Sequence, residues 1–347
     1  MRARLAPFAA VLLAAVGGCH GAIDRDPGAA VTDPGAPPLG NAPSPDSGAP
    51  LPDAGTTPPP APDAGVDYSG VDPLSNVGQV ERLNTETNFN FTEGPLWIAA
   101  RGVVLFTDIP ENRIIEFTPP DTFKLDYQAP SGNANGLALD PQGRLLACEH
   151  GNRRVSRTEA GGSVVTVAGA FEGKRLNSPN DLVVRSDGTI YFSDPPYGVD
   201  ASARELDFQG VFRIAPDGSI HLVSRDMNRP NGLALSPDER TLYVSDSQEG
   251  YVRVHAVNAD GTVGPPRKLF DTGGGGDGMA MDLAGNLYVT TNGGVKVYRG
   301  DGTPRGTIAI PRFAPTNVSF GGDDGRALYV TAGQALYRIR LNVPGLP

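Results

Sequence analysis

The sequence has very few cysteines. There are two in 347 residues, Cys19 and Cys148, and Cys19 is expected to carry lipid, as argued below. An intramolecular disulfide is therefore excluded, and the core and the backbone hydrogen bonds must hold the fold. Positive charge is also scarce, because 29 lysines and arginines face 39 acidic residues and the formal net charge is −10. Nucleic-acid backbones need a basic surface, so this balance argues against a nucleic-acid partner.

Two common catalytic signatures are also missing. No Gly-x-Ser-x-Gly motif is present, so a covalent acyl-enzyme on a serine is not expected. The glycine run Gly273–Gly276 leads into a strand-rich repeat and not into a helix, which is the wrong context for a phosphate-binding loop. We expect these glycines to let the backbone approach a binding site closely.

The N-terminus reads as an export signal. Arg2 and Arg4 precede the apolar run 7–16, which is too short to span a bilayer. The run ends in Val16-Gly-Gly-Cys19, which resembles a bacterial lipobox with Cys19 as the lipidated residue. We expect an exported protein that touches a membrane only through Cys19, in the outer membrane facing the periplasm or the cell surface. An ordinary secretory signal over residues 1–19 is the alternative.

Residues 20–75 differ in composition from the rest. They hold 13 of the 33 prolines, with alanine, glycine and aspartate between them, and one aromatic residue, Tyr68. Such a segment cannot bury enough apolar surface to offset the entropy of ordering. It is predicted to be a disordered tether, with the catalytic domain at residues 76–347.

Six copies of one pattern follow, in which an oxygen-bearing side chain opens a short apolar strand and a second strand ends 14 or 15 residues later. The opening residues, called the oxygen ring below, are Glu93, Asn135, Asn180, Asn231, Asp277 and Asn317. Their spacings are 42, 45, 51, 46 and 40 residues. This period is typical of a β-propeller blade. The sequence predicts an all-β, six-bladed propeller with four-stranded blades, closed by Gln79–Asn84 as the outer strand of the last blade. A linear solenoid is the alternative, but capping repeats are absent.

The opening residue begins the innermost strand, so the six side chains should surround the propeller axis at one end. The second strand returns to the same end and should form a second, mostly acidic tier. Its members are Asp108, Glu149, Asp194, Asp246, Thr291 and Ala332. His150, Arg153 and Tyr197 follow this tier and are expected to lean over the mouth. Carboxylate and amide oxygens without cysteine or histidine suit a hard cation such as calcium. The alternative is that Asn-Gly and Asp-Gly recur only as turn residues.

Several motifs resemble the gluconolactonase family of six-bladed propellers, which includes regucalcin, the senescence marker protein. They are Thr92-Glu-Gly-Pro95, Leu176-Asn-Ser-Pro-Asn-Asp-Leu182, Asp194-Pro-Pro-Tyr-Gly198, Pro230-Asn-Gly-Leu233, Gly276-Asp-Gly-Met279 and Cys148-Glu-His-Gly-Asn-Arg-Arg154. The resemblance implies a divalent cation, usually calcium, with magnesium, manganese or zinc as alternatives. Its matching ligands are Glu93, Asn231 and Asp277, with Asn180 as a fourth ligand or substrate contact. It also implies Asp277 as general base, and it implies that Asn135 and Asn317 contact the cation's ligands or bound water. At the position of a substrate-contacting arginine in regucalcin this chain has Ser178.

The resulting hypothesis is a monomeric enzyme that hydrolyses a lactone, such as gluconolactone, to the hydroxy acid. The cation would polarise the carbonyl oxygen while Asp277 activates water. His150 is the candidate proton donor or substrate clamp, and the expected substrate contacts are Asn135, Asn180, Glu149 and Tyr197. Two alternatives stay open: a phosphotriesterase resembling diisopropyl fluorophosphatase, and a non-catalytic propeller that binds a ligand.

Overall fold

A computed structural model describes residues 66–85 and 89–346. The predicted signal peptide, the lipidation site Cys19 and the linker up to residue 65 lie outside the described residues. Within them, no helix is long and apolar enough to cross a membrane. One short 3₁₀ helix, Ala201–Ala203, is present, and the rest of the regular structure is β-strand.

The strands are short, and most have five to seven residues, as is usual for propeller blades. They are β1 (Glu81–Arg82), β2 (Thr92–Ile98), β3 (Val103–Asp108), β4 (Arg113–Thr118), β5 (Thr122–Gln128), β6 (Ala134–Leu139), β7 (Leu145–Glu149), β8 (Arg154–Thr158), β9 (Val164–Ala168), β10 (Ala170–Phe171), β11 (Lys174–Arg175), β12 (Leu182–Val184), β13 (Ile190–Asp194), β14 (Gly210–Ile214), β15 (Ile220–Ser224), β16 (Pro230–Leu235), β17 (Thr241–Asp246), β18 (Tyr251–Ala256), β19 (Arg267–Asp271), β20 (Met279–Met281), β21 (Asn286–Thr291), β22 (Gly294–Arg299), β23 (Pro304–Ile308), β24 (Asn317–Gly321), β25 (Ala327–Ala332) and β26 (Ala335–Arg340).

Six antiparallel, four-stranded sheets confirm the predicted propeller. Blades 1 to 5 are the consecutive groups β2–β5, β6–β9, β12–β15, β16–β19 and β20–β23. Blade 6 has the order β24-β25-β26-β1, so the N-terminal strand is its outer strand, as predicted from Gln79–Asn84. Glu81 pairs with Arg338 in this ladder, and their side chains form an ion pair at 2.7 Å. The ring is therefore closed by pairing the two ends of the propeller.

The apolar core lies between neighbouring blades because each blade has two faces to bury. One cluster joins Leu146 and Cys148 of blade 2 to Phe192 and Phe212 of blade 3, and all four are essentially inaccessible. The two phenylalanine rings stack with their centroids 5.3 Å apart. Burying side chains of this size contributes roughly 1.5–3 kcal/mol each. The thiol of Cys148 serves as a small apolar group in this cluster.

The inner strand of blade 3 begins later than the repeat pattern predicts. It runs over Leu182–Val184 and so does not include the ring residue Asn180. A small hairpin of β10 and β11, which the repeat pattern does not predict, precedes it. The difference matters for function, because Asn180 and Asp181 then lie just outside the regular strand.

The end of the predicted linker, residues 66–75, lies against the propeller. Leu74 packs on the core between blades 5 and 6, and the amide of Asn342 donates to the carbonyl oxygens of Asp72 and Ser75 at 2.9 and 2.7 Å. Arg305 donates to the carbonyl oxygen of Val71 at 3.0 Å. The packed part of the chain therefore begins before residue 76, because this segment covers apolar surface that the linker composition does not reveal.

Candidate active site

The oxygen ring lies at the end of the propeller where the innermost strands begin. Five of its members are 3–5% exposed, and Asp277 is more accessible. In three blades a β-bulge interrupts the pairing at the ring residue, and a bulge re-aims a side chain. The register shifts lie between Glu93 and Leu96, between Ala134 and Leu137, and between Pro230 and Leu233. The bulges turn Glu93, Asn135 and Asn231 out of the regular alternation.

The ring residues of blades 3 and 5 keep their backbone pairing although they precede the named strands. The N–H of Asn180 donates to the carbonyl oxygen of Ser193 at 2.9 Å, and the N–H of Asp277 donates to that of Thr290 at 3.0 Å. Both side chains are thus fixed by the neighbouring strand of the same blade.

A glycine follows four of the six ring residues, and close packing around the axis explains it. A Cβ at Gly94, Gly136, Gly232 or Gly278 would lie less than 3.0 Å from the backbone or side chain of the next ring segment. Only one of the four, Gly94, has a positive φ, at +50°. The recurring Asn-Gly and Asp-Gly pairs therefore reflect the approach of neighbouring blades more than turn geometry.

Replacing Gly232 with alanine tests this explanation. The new Cβ would meet the backbone of Asp277 and Gly278, which cannot move without displacing the ring, so we expect a loss of roughly 1–3 kcal/mol in the free energy of unfolding. Gly161→Ala is the matched control, because that position has nothing within 4 Å and no positive φ. Thermal and denaturant unfolding of both variants measures the difference. Equal stability of the two variants would contradict the packing explanation.

Three asparagines of the ring are joined by hydrogen bonds. The amide nitrogen of Asn135 donates to the side-chain oxygen of Asn180 at 2.7 Å, and that of Asn180 donates to the side-chain oxygen of Asn231 at 2.7 Å. The carboxamide oxygen of Asn135 is buried and has no hydrogen-bond partner among the described residues. Buried polar atoms are normally paired, so this oxygen points to a missing ligand or water.

Asp181 is a site residue that the sequence reasoning missed. It occupies the position after the ring residue of blade 3, where four other blades have glycine, and it is 7% exposed. Asn317 of blade 6 donates to its carboxylate at 3.4 Å across the axis. The break in the glycine pattern was the available signal.

Three carboxyl groups therefore share the buried end of the axis, and all are destabilised in their charged form. Burial and then the carboxylate of Asp277 raise the pKa of Glu93 well above its usual range. Burial and then Asp181 raise the pKa of Asp277 to about 8, and burial raises that of Asp181 to about 7. No lysine or arginine is among the principal influences on these three groups. A positive charge in the ring would relieve all three.

The donor set fits a hard cation. Within residues 66–85 and 89–346 no group of three or more histidine, cysteine, aspartate or glutamate side chains is arranged to hold a metal. The oxygen ring instead mixes two carboxylates with four amides, and calcium accepts such mixed oxygen ligands in irregular geometry. The unpaired oxygen of Asn135 and the raised pKa values agree with this chemistry.

His150 lies in the site but is poorly suited to donate a proton. It is 6% exposed, and burial lowers its pKa to about 4, so it is neutral at physiological pH. Its Nε2 lies 3.3 Å from the amide nitrogen of Asn135, which must be the donor in this contact. An accepting Nε2 carries no proton to transfer.

Tyr197 stands at the mouth, as predicted, and is 42% exposed. Ser178 fixes its loop, since its hydroxyl donates to the carbonyl oxygen of Pro195 at 2.7 Å and accepts from the N–H of Gly198 at 2.8 Å. The Tyr197 hydroxyl bonds to that of Ser247. Burial and then the carboxylate of Asp277 raise the pKa of Tyr197 to about 12.

Glu149 and Arg153 do not join the group around the mouth. The Glu149 carboxylate is bound by Arg154 at 2.7 and 3.1 Å and accepts from the amide of Asn152, so it is not free for a substrate. The guanidinium of Arg153 donates to the carbonyl oxygens of Leu176 and Asn177 at 2.7 and 3.1 Å. The predicted substrate contact of Glu149 and the mouth position of Arg153 are therefore corrected, because both side chains anchor loops.

Three carboxylates of the acidic second tier also anchor loops. Asp108, Asp194 and Asp246 each accept a backbone N–H three residues before the ring residue of their own blade. The donors are Asn90 at 3.2 Å, Asn177 at 2.7 Å and Asn228 at 2.8 Å. These carboxylates hold the segments that lead into the ring.

Hydroxyl groups tie three ring residues to the preceding blade, and the sequence reasoning missed them. The hydroxyls of Ser193 and Ser245 donate to the carbonyl oxygens of Asn231 and Asp277 in the next blade, at 2.7 and 3.0 Å. Thr107 does the same toward Asn135 at 3.2 Å. The signal was the recurring serine or threonine directly before the second-tier residue. The glycine run Gly273–Gly276 does not show the expected close approach at Gly276, because a Cβ there would lie 3.4 Å from the backbone of Asp246, an ordinary van der Waals distance; all four glycines instead have a positive φ.

Comparison with known proteins gives a consistent picture. Residues 91–334 match the family model described as the SMP-30/Gluconolactonase/LRE-like region. The gluconolactonase of Zymomonas mobilis is 32% identical over 292 residues, which cover 75% of this chain and 81% of that protein. A solved gluconolactonase of Xanthomonas campestris is 33% identical with a TM-score of 0.70, and the match covers 80% of this chain and 93% of that one.

A more distant structure shares the fold. Regucalcin of Agrobacterium tumefaciens, described as a calcium-binding protein, has a TM-score of 0.65 at 21% identity. The match covers 77% of this chain and 95% of that one. At this identity the similarity establishes the propeller alone.

Proposed function

The chain belongs to the SMP-30/gluconolactonase/LRE-like family, and from this premise we propose that it hydrolyses a sugar lactone such as gluconolactone to the hydroxy acid. The protein is an enzyme of the lactonase class. The observation that carries the proposal is the oxygen ring, in which the buried Glu93, Asn180 and Asn231 surround the more accessible Asp277 at one mouth.

The proposed cofactor is a divalent cation, calcium first, held by Glu93, Asn180, Asn231 and Asp277. When bound, it would act as a Lewis acid on the lactone carbonyl oxygen. Asn135 and Asn317 are assigned to the surrounding layer, because Asn135 orients Asn180 and Asn317 contacts Asp181. The raised pKa values of Glu93 and Asp277 support a positive charge at this place.

Asp277 is the proposed general base. It is more accessible than the other ring residues, so a water molecule can reach it. Its backbone is held in place, since its N–H donates to the carbonyl oxygen of Thr290 at 3.0 Å and its carbonyl oxygen accepts from the hydroxyl of Ser245 at 3.0 Å. Burial and then Asp181 raise its pKa, and a bound cation would lower it again, so the cation would keep Asp277 ionised and able to accept a proton from water. General-base assistance of about 10²–10⁴-fold is sufficient for a reactive ester.

The remaining predicted residues take positioning roles in this proposal. His150 accepts from Asn135 and so clamps the amide that in turn orients Asn180. Asn180, Asn135 and Tyr197 remain the proposed substrate contacts. Protonation of the leaving alkoxide is left to water, because neutral His150 presents an accepting nitrogen.

We also propose that Cys19 carries lipid and anchors an exported, monomeric enzyme, most simply at the outer membrane. The support is the small-residue sequence Val16-Gly-Gly-Cys19 after a short apolar run. Metabolic labelling with a fatty acid tests it. Label that persists in a Cys19→Ser variant would contradict the assignment.

Lactone opening by the full-length protein is the first experiment. Acid release from δ-gluconolactone, corrected for spontaneous opening, should be fast with calcium and fall to background with chelator. Diisopropyl fluorophosphate serves as the competing substrate, and we expect no comparable hydrolysis. Calcium-loaded, folded protein that opens no lactone but cleaves the phosphotriester would replace the lactonase assignment. Binding of lactone without turnover would favour the non-catalytic alternative.

A further inference from the structure

Arg229 is an exposed arginine beside the mouth of the oxygen ring. The guanidinium of Arg229 lies 5.5 Å from the centre of the Tyr197 ring, in cation–π geometry. Arg229 is exposed, and no described carboxylate forms an ion pair with it. It precedes Asn231 by two residues, which limits the separation of their Cα atoms to about 7 Å.

The position of Arg229 is held by several contacts. Its backbone N–H donates to the side-chain oxygen of Gln209 at 2.8 Å, and its carbonyl oxygen accepts from the N–H and the hydroxyl of Ser247 at 3.1 and 3.2 Å. Its φ is +65°, a conformation that few non-glycine residues adopt. Such backbone strain persists where the surroundings impose it, and it concentrates at functional sites.

The same Ser247 connects Arg229 to Tyr197. Its hydroxyl bonds to the Tyr197 hydroxyl, so one serine fixes both the backbone of Arg229 and the ring beneath its guanidinium. The carboxylate of Asp277 raises the pKa of Tyr197, so this ring is within electrostatic reach of the candidate base as well as in contact with the arginine.

The negative charge around the oxygen ring explains what an arginine beside it could do. Glu93, Asp181 and Asp277 place three acidic groups at the end of the axis, one more than the proposed divalent cation can neutralise, and the whole chain carries a formal charge of −10. A further cation at the mouth would therefore favour an anionic group on a substrate. Guanidinium groups bind phosphate, sulfonate and carboxylate through paired, charge-assisted hydrogen bonds.

We propose that Arg229, held on Tyr197 at the mouth, makes the enzyme prefer lactones that carry an anionic substituent remote from the ester. This inference rests on the proposed lactone hydrolysis and names the substrate class of that same site. Arg229 binds the substituent, and Tyr197 supports the guanidinium from below. Neither residue takes part in the bond-breaking step.

The test compares two lactones that differ in one anionic group. The full-length protein is assayed with δ-gluconolactone and with 6-phosphoglucono-δ-lactone, both corrected for spontaneous opening. We expect a higher kcat/KM for the phosphorylated lactone, mainly through KM, by about 10- to 100-fold. Arg229→Gln should remove this preference and leave kcat/KM for δ-gluconolactone nearly unchanged. Because the interaction is exposed, the preference should weaken between about 20 and about 200 mM salt.

Two further variants separate charge from folding. Arg229→Lys should retain part of the preference, since it keeps the charge and loses the planar fork. Arg225→Gln is the matched control: Arg225 is also an exposed arginine over an aromatic ring, 4.4 Å from the centre of Phe208, but it pairs with Asp207. It should leave the ratio of the two kcat/KM values unchanged.

Three outcomes would overturn the inference. They are a wild-type enzyme that does not prefer the phosphorylated lactone, an equal loss on both lactones in Arg229→Gln, and an equal change of the ratio in Arg225→Gln. Any of these would show that Arg229 does not select lactones by an anionic substituent. Failure of the proposed function looks different, because the wild-type protein would then open neither lactone.

Discussion

Replacing Asp277 with asparagine is expected to reduce kcat/KM for lactone hydrolysis by about 10³-fold or more. The change removes the proposed base and one of two charged ligands of the proposed cation site, while the volume and the hydrogen-bonding shape are kept. The backbone N–H of Asp277 still pairs with Thr290, so the fold should persist. Stopped-flow or pH-stat assays of acid release, combined with thermal unfolding, measure both properties.

Asp282→Asn is the matched control for this prediction. Asp282 is another buried aspartate of blade 5, and its carboxylate accepts from the Asn286 amide at 2.8 Å and from the Tyr288 hydroxyl at 3.0 Å, away from the oxygen ring. The control should be less stable but retain activity when assayed well below its unfolding temperature. Asp277→Asn that keeps more than about a tenth of wild-type activity would remove Asp277 from the base role.

Glu93→Gln is expected to abolish the stabilisation of the protein by calcium. A ligand at about 100 times its Kd stabilises the folded state by about 2.7 kcal/mol, which for a domain of this size raises Tm by roughly 5 °C. The wild-type protein should show this rise, and Glu93→Gln should not, because the buried ring then holds one carboxylate fewer. Calorimetric unfolding with calcium or with chelator gives the comparison.

Glu116→Gln controls for the loss of a buried glutamate in the same blade. Glu116 pairs with Arg101 outside the ring and is 8% exposed. Its replacement should lower Tm in both buffers but keep the calcium increment. A full increment in Glu93→Gln would show that calcium binds elsewhere.

The thermal stability of the protein without the cation is expected to depend on pH. The pKa of Asp277 in the folded state, about 8, lies above the ordinary aspartate value, so the folded protein binds the proton more tightly than the unfolded chain does. This stability is complete below about pH 4 and is lost as the pH rises toward 8. Calcium should therefore raise Tm most near pH 8, where it compensates ionised carboxylates.

The oxygen ring itself could be predicted from the sequence because blades repeat the same local structure. A side chain at one phase of a strand–turn–strand unit occupies the same place in every copy, so Glu93 and Asp277 could be assigned to one end of the axis without coordinates. The closing strand could be predicted for the same reason, since blade 6 lacked an outer strand within its own repeat. Pairing of Glu81–Arg82 with Ala335–Arg340 confirms it.

Residues whose partners lie in other blades could not be assigned in this way. The repeat pattern placed Glu149 near the mouth, but it could not show that Arg154 neutralises its carboxylate. It placed His150 correctly, but burial, which makes that imidazole neutral, depends on the loop of Gly198 packed against it. The spacing in the sequence predicts how far along the propeller axis a side chain lies, but it does not predict which residues that side chain contacts.

The sequence alone determined the number of blades, their phase and the chemistry of the oxygen ring, because these follow from period and residue type. Only the tertiary structure showed that Asp181 belongs to the site, since its partner Asn317 lies 136 residues away across the axis. Only the structure showed that the guanidinium of Arg229 lies over the ring of Tyr197, because these two residues belong to different blades. Closure of the ring sets both distances, and ring closure is a property of all six blades together.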